Sequence, residues 1–188
     1  MPENTTAQRA SGAAAGVVTA ARRSFAHQAE AYRHGEARPL GGYVAVMAVF
    51  AALVTGACGL IAAGRRGLSE SVRPWDVFLL TVGTHKVSRT ISKDAVTSPL
   101  RAPFTSYVGS GGPAEIMEEV REGSTVRHAV GELLTCPFCL DMWVATGFTL
   151  GLVFSPRVTR YVAATFTMLT GADLLHLGYA MAQRSAEG

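Results

Sequence analysis

The run GYVAVMAVFAALVTGACGLIAAG, from Gly42 to Gly64, carries no charged side chain in 23 residues. At about 1.5 Å of rise per residue, a helix this long crosses the roughly 30 Å hydrocarbon layer of a bilayer. No side of it carries the polar stripe that a helix on a soluble domain needs. The run is therefore read as a transmembrane helix, and its small residues Gly56, Cys58 and Gly59 would let a neighbouring helix approach closely. Composition points the same way. Charged residues are only 16% of the chain, well under the typical quarter or so, and mean hydropathy is +0.23. A soluble chain of 188 residues needs more charge to cover its surface, so part of this surface is expected to face lipid.

Three further apolar segments follow. Trp75, amphipathic and suited to a membrane interface, precedes Asp76 and then VFLLTVGTHKVSRTI. CPFCLDMWVATGFTLGLVF covers Cys136 to Phe154, and YVAATFTMLTGADLLHLGYAMA covers Tyr161 to Ala182. The expected fold is an all-α integral membrane protein with about four transmembrane helices and a long ordered loop between the second and third. That loop, Ser92 to about Leu134, is too hydrophilic to cross lipid and too long for an idle connector. Pro99 and Pro103 stiffen its start, GSGGP at 109–113 reads as a flexible turn, and Ser124 is placed to cap a short helix, TVRHAVGELL. Residues 1–40 read as a polar leader, partly helical or disordered. Residues 41–188 read as the helical membrane domain.

The net charge is +3. Apart from Lys86 and Lys93 the basic residues are arginines, and no basic cluster with interleaved aromatics is present, so nucleic acid is not an expected partner. Membrane lipids are. With four spans, five arginines (Arg65, Arg66, Arg73, Arg157, Arg160) fall on one side and ten basic residues on the other. The positive-inside rule then puts both termini and the long loop in the cytoplasm of a multi-pass plasma-membrane protein. The N-terminus lacks the charged-then-apolar order of a signal peptide.

Cys136 and Cys139 supply the sharpest motif. Cys-Pro-Phe-Cys at a helix start has the spacing of thiol redox proteins, where backbone donors and the helix dipole stabilise a thiolate. Pro137 suits the first helical turn. In that use Cys136 attacks, Cys139 resolves, and Glu132 or His128 moves the proton. The same pair could hold a metal if His128, or Glu132, His85 or Asp141, completed the set, but a single CxxC is half a tetrahedral site. The third use is structural: two small, soft side chains pack a loop-to-helix turn.

Ionisable groups inside apolar segments are costly and should turn inward and meet. His85, Lys86 and Arg89 belong to one segment, Asp141 to another, Asp173 and His176 to a third. Pairs such as Arg89 with Asp173 or Asp141 would hold the bundle together, or line a solute path. In the loop, SPLRAPF holds Arg101 between two prolines with Phe104 close by, and a rigidly presented arginine suits an anion. Arg101, Phe104, Lys86 and Arg89 are the expected partner or anion contacts.

The ordered series DVFLLTVGTHKVSRTISKDAVTSPLRAPF and VRHAVGELLTCPFCLDMWVA resembles an uncharacterised bacterial family of small membrane proteins, one of which is associated with spore formation in bacilli. The likeness covers about 75–181. The set that looks carried over is His85, Lys86, Arg89, Asp94, Ser98, Pro99, Arg101, Pro103, Phe104, Glu132, Cys136, Pro137, Cys139 and Trp143. The resemblance implies a membrane location and no reaction.

The leading expectation is a small membrane scaffold that binds another membrane or cytoplasmic protein, or further copies of itself, through SPLRAPF and the CxxC helix start. A membrane thiol oxidoreductase is the second. A small transporter built on His85, Arg89, Asp173 and His176, or a metal-binding membrane protein, is the third. Whether the chain is an enzyme stays open, and no cofactor is named.

Overall fold

The computed structural model describes residues 3–33, 38–64 and 72–187. The loop arginines Arg65 and Arg66, counted above, lie outside the described residues. The chain divides into two units, Met1–Leu40 and Gly41–Gly188. The first is a single helix, α1 (Glu3–Arg33), whose Ala, Gln, Glu and Arg content favours that state.

The second unit is largely helical. Its long helices are α2 (Leu40–Ala63), α3 (Pro74–Lys93), α6 (Pro137–Phe154) and α7 (Pro156–Glu187). Two of them, α2 and α6, are long and apolar enough to cross a membrane. Pro74, Pro137 and Pro156 each open a helix at the turn where a missing amide donor costs nothing.

α3 lies between α6 and α7. Leu79 of α3, Phe148 of α6 and Ala163 of α7 form the buried centre, with Leu80, Val87, Val144 and Ala164 packed around them. Gly83 sets the spacing. A Cβ built there would sit 3.3 Å from the carbonyl oxygen of Ala163 and 3.5 Å from the Phe148 ring. Asp76 meets Arg160 at one end, and further along both helices Lys86 meets Asp173. α3 and α7 therefore run parallel. α6, joined to α7 through Ser155 alone, runs against them. α2 touches α6 through an edge-to-face contact of Phe50 with Trp143, ring centres 4.9 Å apart. Its start presses on the cap described next, where a Cβ at Gly42 would lie 2.0 Å from the Thr125 carbonyl oxygen.

The segment between α3 and α6 is an ordered cap, and it is not purely helical. After a 3-10 turn (Ala95–Thr97) and a single helical turn α4 (Ser98–Arg101), the strands β1 (Thr105–Ser110) and β2 (Ile116–Val120) pair antiparallel. The helix α5 (Thr125–Thr135) follows. The all-α expectation holds for the long elements and misses this hairpin. Its turn is GGPA at 111–114, in which Ala114 takes a positive φ of 64°. Ile116, Glu118 and Val120 face inward and Met117 and Glu119 outward. One inward residue is a glutamate, which hides the apolar alternation that marks a strand. Ser124 caps α5 as expected, its Oγ accepting from the Arg127 amide at 3.3 Å.

Candidate functional site at the cap and the CxxC corner

The cap is built around Arg101. Its guanidinium is fully buried and donates to Glu118 through Nε at 2.6 Å, to the Ile91 carbonyl at 2.5 Å and Thr97 Oγ1 at 2.7 Å through Nη1, and to the Asp94 carbonyl at 3.0 Å through Nη2. Those carbonyls are the exposed acceptors at the C-terminal end of α3, where a cation is favoured. One residue thus ties α3, α4 and β2 together. The expectation that SPLRAPF presents this arginine to an outside anion is corrected: the segment opens with a helical turn, and its charge is spent internally.

The other expected contacts are also engaged within the chain. Arg89 pairs with Glu115, and Lys86 with Asp173 at 2.7 Å. The Phe104 carbonyl accepts from the Arg121 amide at 2.9 Å, and Phe104 is only partly exposed. Cross-segment pairing was foreseen, but Arg89 goes to the cap, not to Asp173 or Asp141. The bidentate pair of Arg160 with Asp76, at 2.8 and 2.9 Å, was missed altogether. Its signal was Asp76 itself, a lone acid at the start of an apolar helix.

Cys136 is the junction between α5 and α6. It closes the first helix and caps the second from an extended backbone, φ −105° and ψ 103°. Its Sγ accepts from the Cys139 amide at 3.2 Å, the role a serine or aspartate oxygen usually plays. Both cysteines are free thiols, and Cys139 is exposed. Next to them Glu132 accepts from the Tyr43 hydroxyl of α2 at 2.5 Å and stands 3.6 Å from His128 Nε2. The four residues proposed for thiol chemistry thus share one corner. The metal set does not form: among the described residues no three His, Cys, Asp or Glu side chains come close enough to hold an ion.

A groove of about 620 Å³ runs along the α3–α6 seam, apolar for most of its length, with His85, Thr84 and Asp141 at its polar end. The Oδ1 of Asp141 is buried there without a hydrogen-bond partner among the described residues. Arg89, Asp173 and His176 do not line it, so the four groups named for a transporter do not meet in this groove.

Residues 79–179 match the family described as Protein of unknown function (DUF1360). That span takes in Gly83, the whole cap, the CxxC corner and most of α7. The chain belongs to the DUF1360 family. No curated protein and no solved structure matches it. The family assignment gives no link to spore formation, and the resemblance to a bacilli spore protein is reduced to family membership. What stands is a DUF1360 membrane protein of unestablished function, with free cysteines at CxxC spacing whose use the family does not name.

Proposed function

We propose that this DUF1360 protein is a non-enzymatic partner-binding protein of the plasma membrane, with four crossings and with its cap and both termini in the cytoplasm. α3, at 20 residues, is about 30 Å long, enough to cross alongside α2 and α6. α7 is longer still. Lys86 of α3 and Asp173 of α7 meet each other, as ionisable groups within a bilayer should.

The observation that carries the binding reading is the contrast within the cap. Arg101 and its four partner groups freeze the interior, while Val96, Leu100, Tyr107 and Met117 stand on the outside, Val96 at 89% exposure. Apolar residues held on a rigid polar platform favour association, because little conformational freedom is lost on binding. The test is cross-linking in native membranes followed by purification of the intact protein and of a Tyr107→Ser, Met117→Ser variant. The reading expects a cross-linked protein in stoichiometric amount that the variant loses. Equal recovery with both chains overturns it.

A membrane thiol oxidoreductase is the second reading. The observation in its favour is Glu132, hydrogen-bonded to Tyr43 and adjacent to His128, beside an exposed Cys139. It requires the Cys136 thiol to leave its capping role and form a disulfide with Cys139, two electrons passing to an acceptor. A mass loss of two hydrogens under mild oxidation, reversed by a dithiol, would support it. Two thiols that persist under that treatment would remove it.

A further inference from the structure

At the end of the bundle opposite the cap, Trp75 and Leu79 of α3 and Arg157, Arg160, Tyr161 and Ala164 of α7 enclose a groove of about 350 Å³. None of the sequence motifs pointed to it. Its level in the membrane follows from α6, which ends at Phe154, only three residues before Arg157. α6 is about 27 Å long, so its far end lies where the hydrocarbon layer gives way to headgroups.

Three properties of the groove fit together. Its charge is positive. Arg160 donates Nε and Nη2 to Asp76 and keeps Nη1 free of any hydrogen bond among the described residues. Arg157 makes no ion pair among the described residues, and Arg73 acts on Asp76 from nearby. Three arginines and one carboxylate thus lie at this end of the bundle. The walls are aromatic: Trp75 stacks on Phe78 with ring centres 5.2 Å apart, and Tyr161 stands opposite. Trp and Tyr settle at headgroup level, with rings toward the chains and polar atoms toward water. The floor, Leu79 and Ala164, is apolar and continuous with the buried face of the bundle.

We propose that this groove binds the headgroup of an anionic phospholipid, the phosphate held between Arg157 and the free edge of Arg160 and the upper acyl chain lying on Leu79 and Ala164. A guanidinium presents paired donors that match phosphate oxygens. Asp76 positions Arg160 by fixing one edge of its guanidinium and turning the other outward. A soluble anion would have no use for the aromatic walls or the apolar floor, so the occupant is the lipid. The site rests on the membrane reading but not on the partner-binding one.

The test uses the full chain with Trp143→Phe, so that Trp75 is the sole indole, reconstituted in mixed vesicles of phosphatidylcholine and phosphatidylglycerol. Bromine on the acyl chains of one lipid or the other quenches Trp75 when that lipid occupies the groove. The expected result is a preference for phosphatidylglycerol of about fivefold, the size set by one arginine contact. Arg157→Gln, which leaves the Asp76–Arg160 pair intact, should bring the preference close to one, while Arg121→Gln on the distant cap should leave it unchanged. Inorganic phosphate at millimolar concentration should not relieve the quenching. Equal quenching by both lipids, an Arg157→Gln chain that keeps its preference, or full displacement by inorganic phosphate would each overturn the assignment. Failure of the chain to insert at all, read as quenching by neither lipid, would overturn the membrane reading beneath it and the site with it.

Discussion

Arg101 and Glu118 meet at 2.6 Å with 0% and 6% of their side chains exposed, 17 positions apart in a loop that is otherwise polar. A buried pair of this kind adds little net stability over an apolar replacement, because both charges have lost water. It strongly penalises every arrangement in which they part. Its effect here is to select one cap structure.

Removing one partner should therefore cost far more than removing both. Glu118→Ala leaves the Arg101 charge buried and should destabilise the cap by about 3 kcal/mol, whereas the double change Arg101→Met, Glu118→Leu should recover most of that loss. Limited proteolysis in detergent, followed at the hairpin between 105 and 120, measures both. Equal sensitivity of the single and double variants would contradict the selecting role.

Cys136 should behave as a helix cap. Cys136→Ser keeps an acceptor at the right place and should change thermal stability little, while Cys136→Ala should cost about 1 kcal/mol. Thermal unfolding of the purified chain reads this. The pair also separates the two proposed functions, since a redox centre would lose activity in the serine variant despite its normal stability.

Gly83 lies close against the backbone of Ala163. Gly83→Ala should be nearly tolerated, because the added carbon meets Ala163 at 3.3 to 3.4 Å and asks for a shift of tenths of an ångström. Gly83→Leu has no such solution and should cost about 1–3 kcal/mol by overpacking. A cysteine pair replacing Lys86 and Asp173, whose charged atoms now lie 2.7 Å apart, reports the separation of the helices through its cross-linking yield. Yield should persist in the alanine variant and fall in the leucine one.

The proposed four-crossing arrangement predicts a labelling pattern. In a chain without native cysteines, single cysteines at Gly112 and at Ser185 should react with an impermeant thiol reagent from the cytoplasmic side. One at Ser155 should react from the other. Reaction of Ser155→Cys from the same side as Gly112→Cys would leave α6 on one side of the membrane and reject the topology.

The long helices were legible because lipid imposes a simple demand, an uncharged run of sufficient length, and the run at 42–64 meets it without ambiguity. The helix starts were legible from Pro137 and Ser124, whose chemistry acts within one turn. The cap was not. Glu118 occupies an inward strand position that an apolar residue usually fills, and only Arg101, distant in sequence, makes that placement tolerable. The charges were misread for the same reason. The flanking prolines point to an outward Arg101, and the apolar segments to Arg89 as a partner for Asp173 or Asp141, whereas the fold matches Arg101 to Glu118, Arg89 to Glu115 and Lys86 to Asp173. The corner of Cys136, Cys139, Glu132 and His128 was legible because its members fall within one turn-linked stretch. Tyr43, from another helix, was not.

Since α3 and α7 point the same way, α7 covers the small-residue face of a helix made some 80 residues before it. Until Ala163 has left the ribosome, Gly83 has no mate, and any other narrow-faced helix in the bilayer is a rival for the vacancy. The seam between α3 and α7 can therefore close only after the whole cap and α6 have been made.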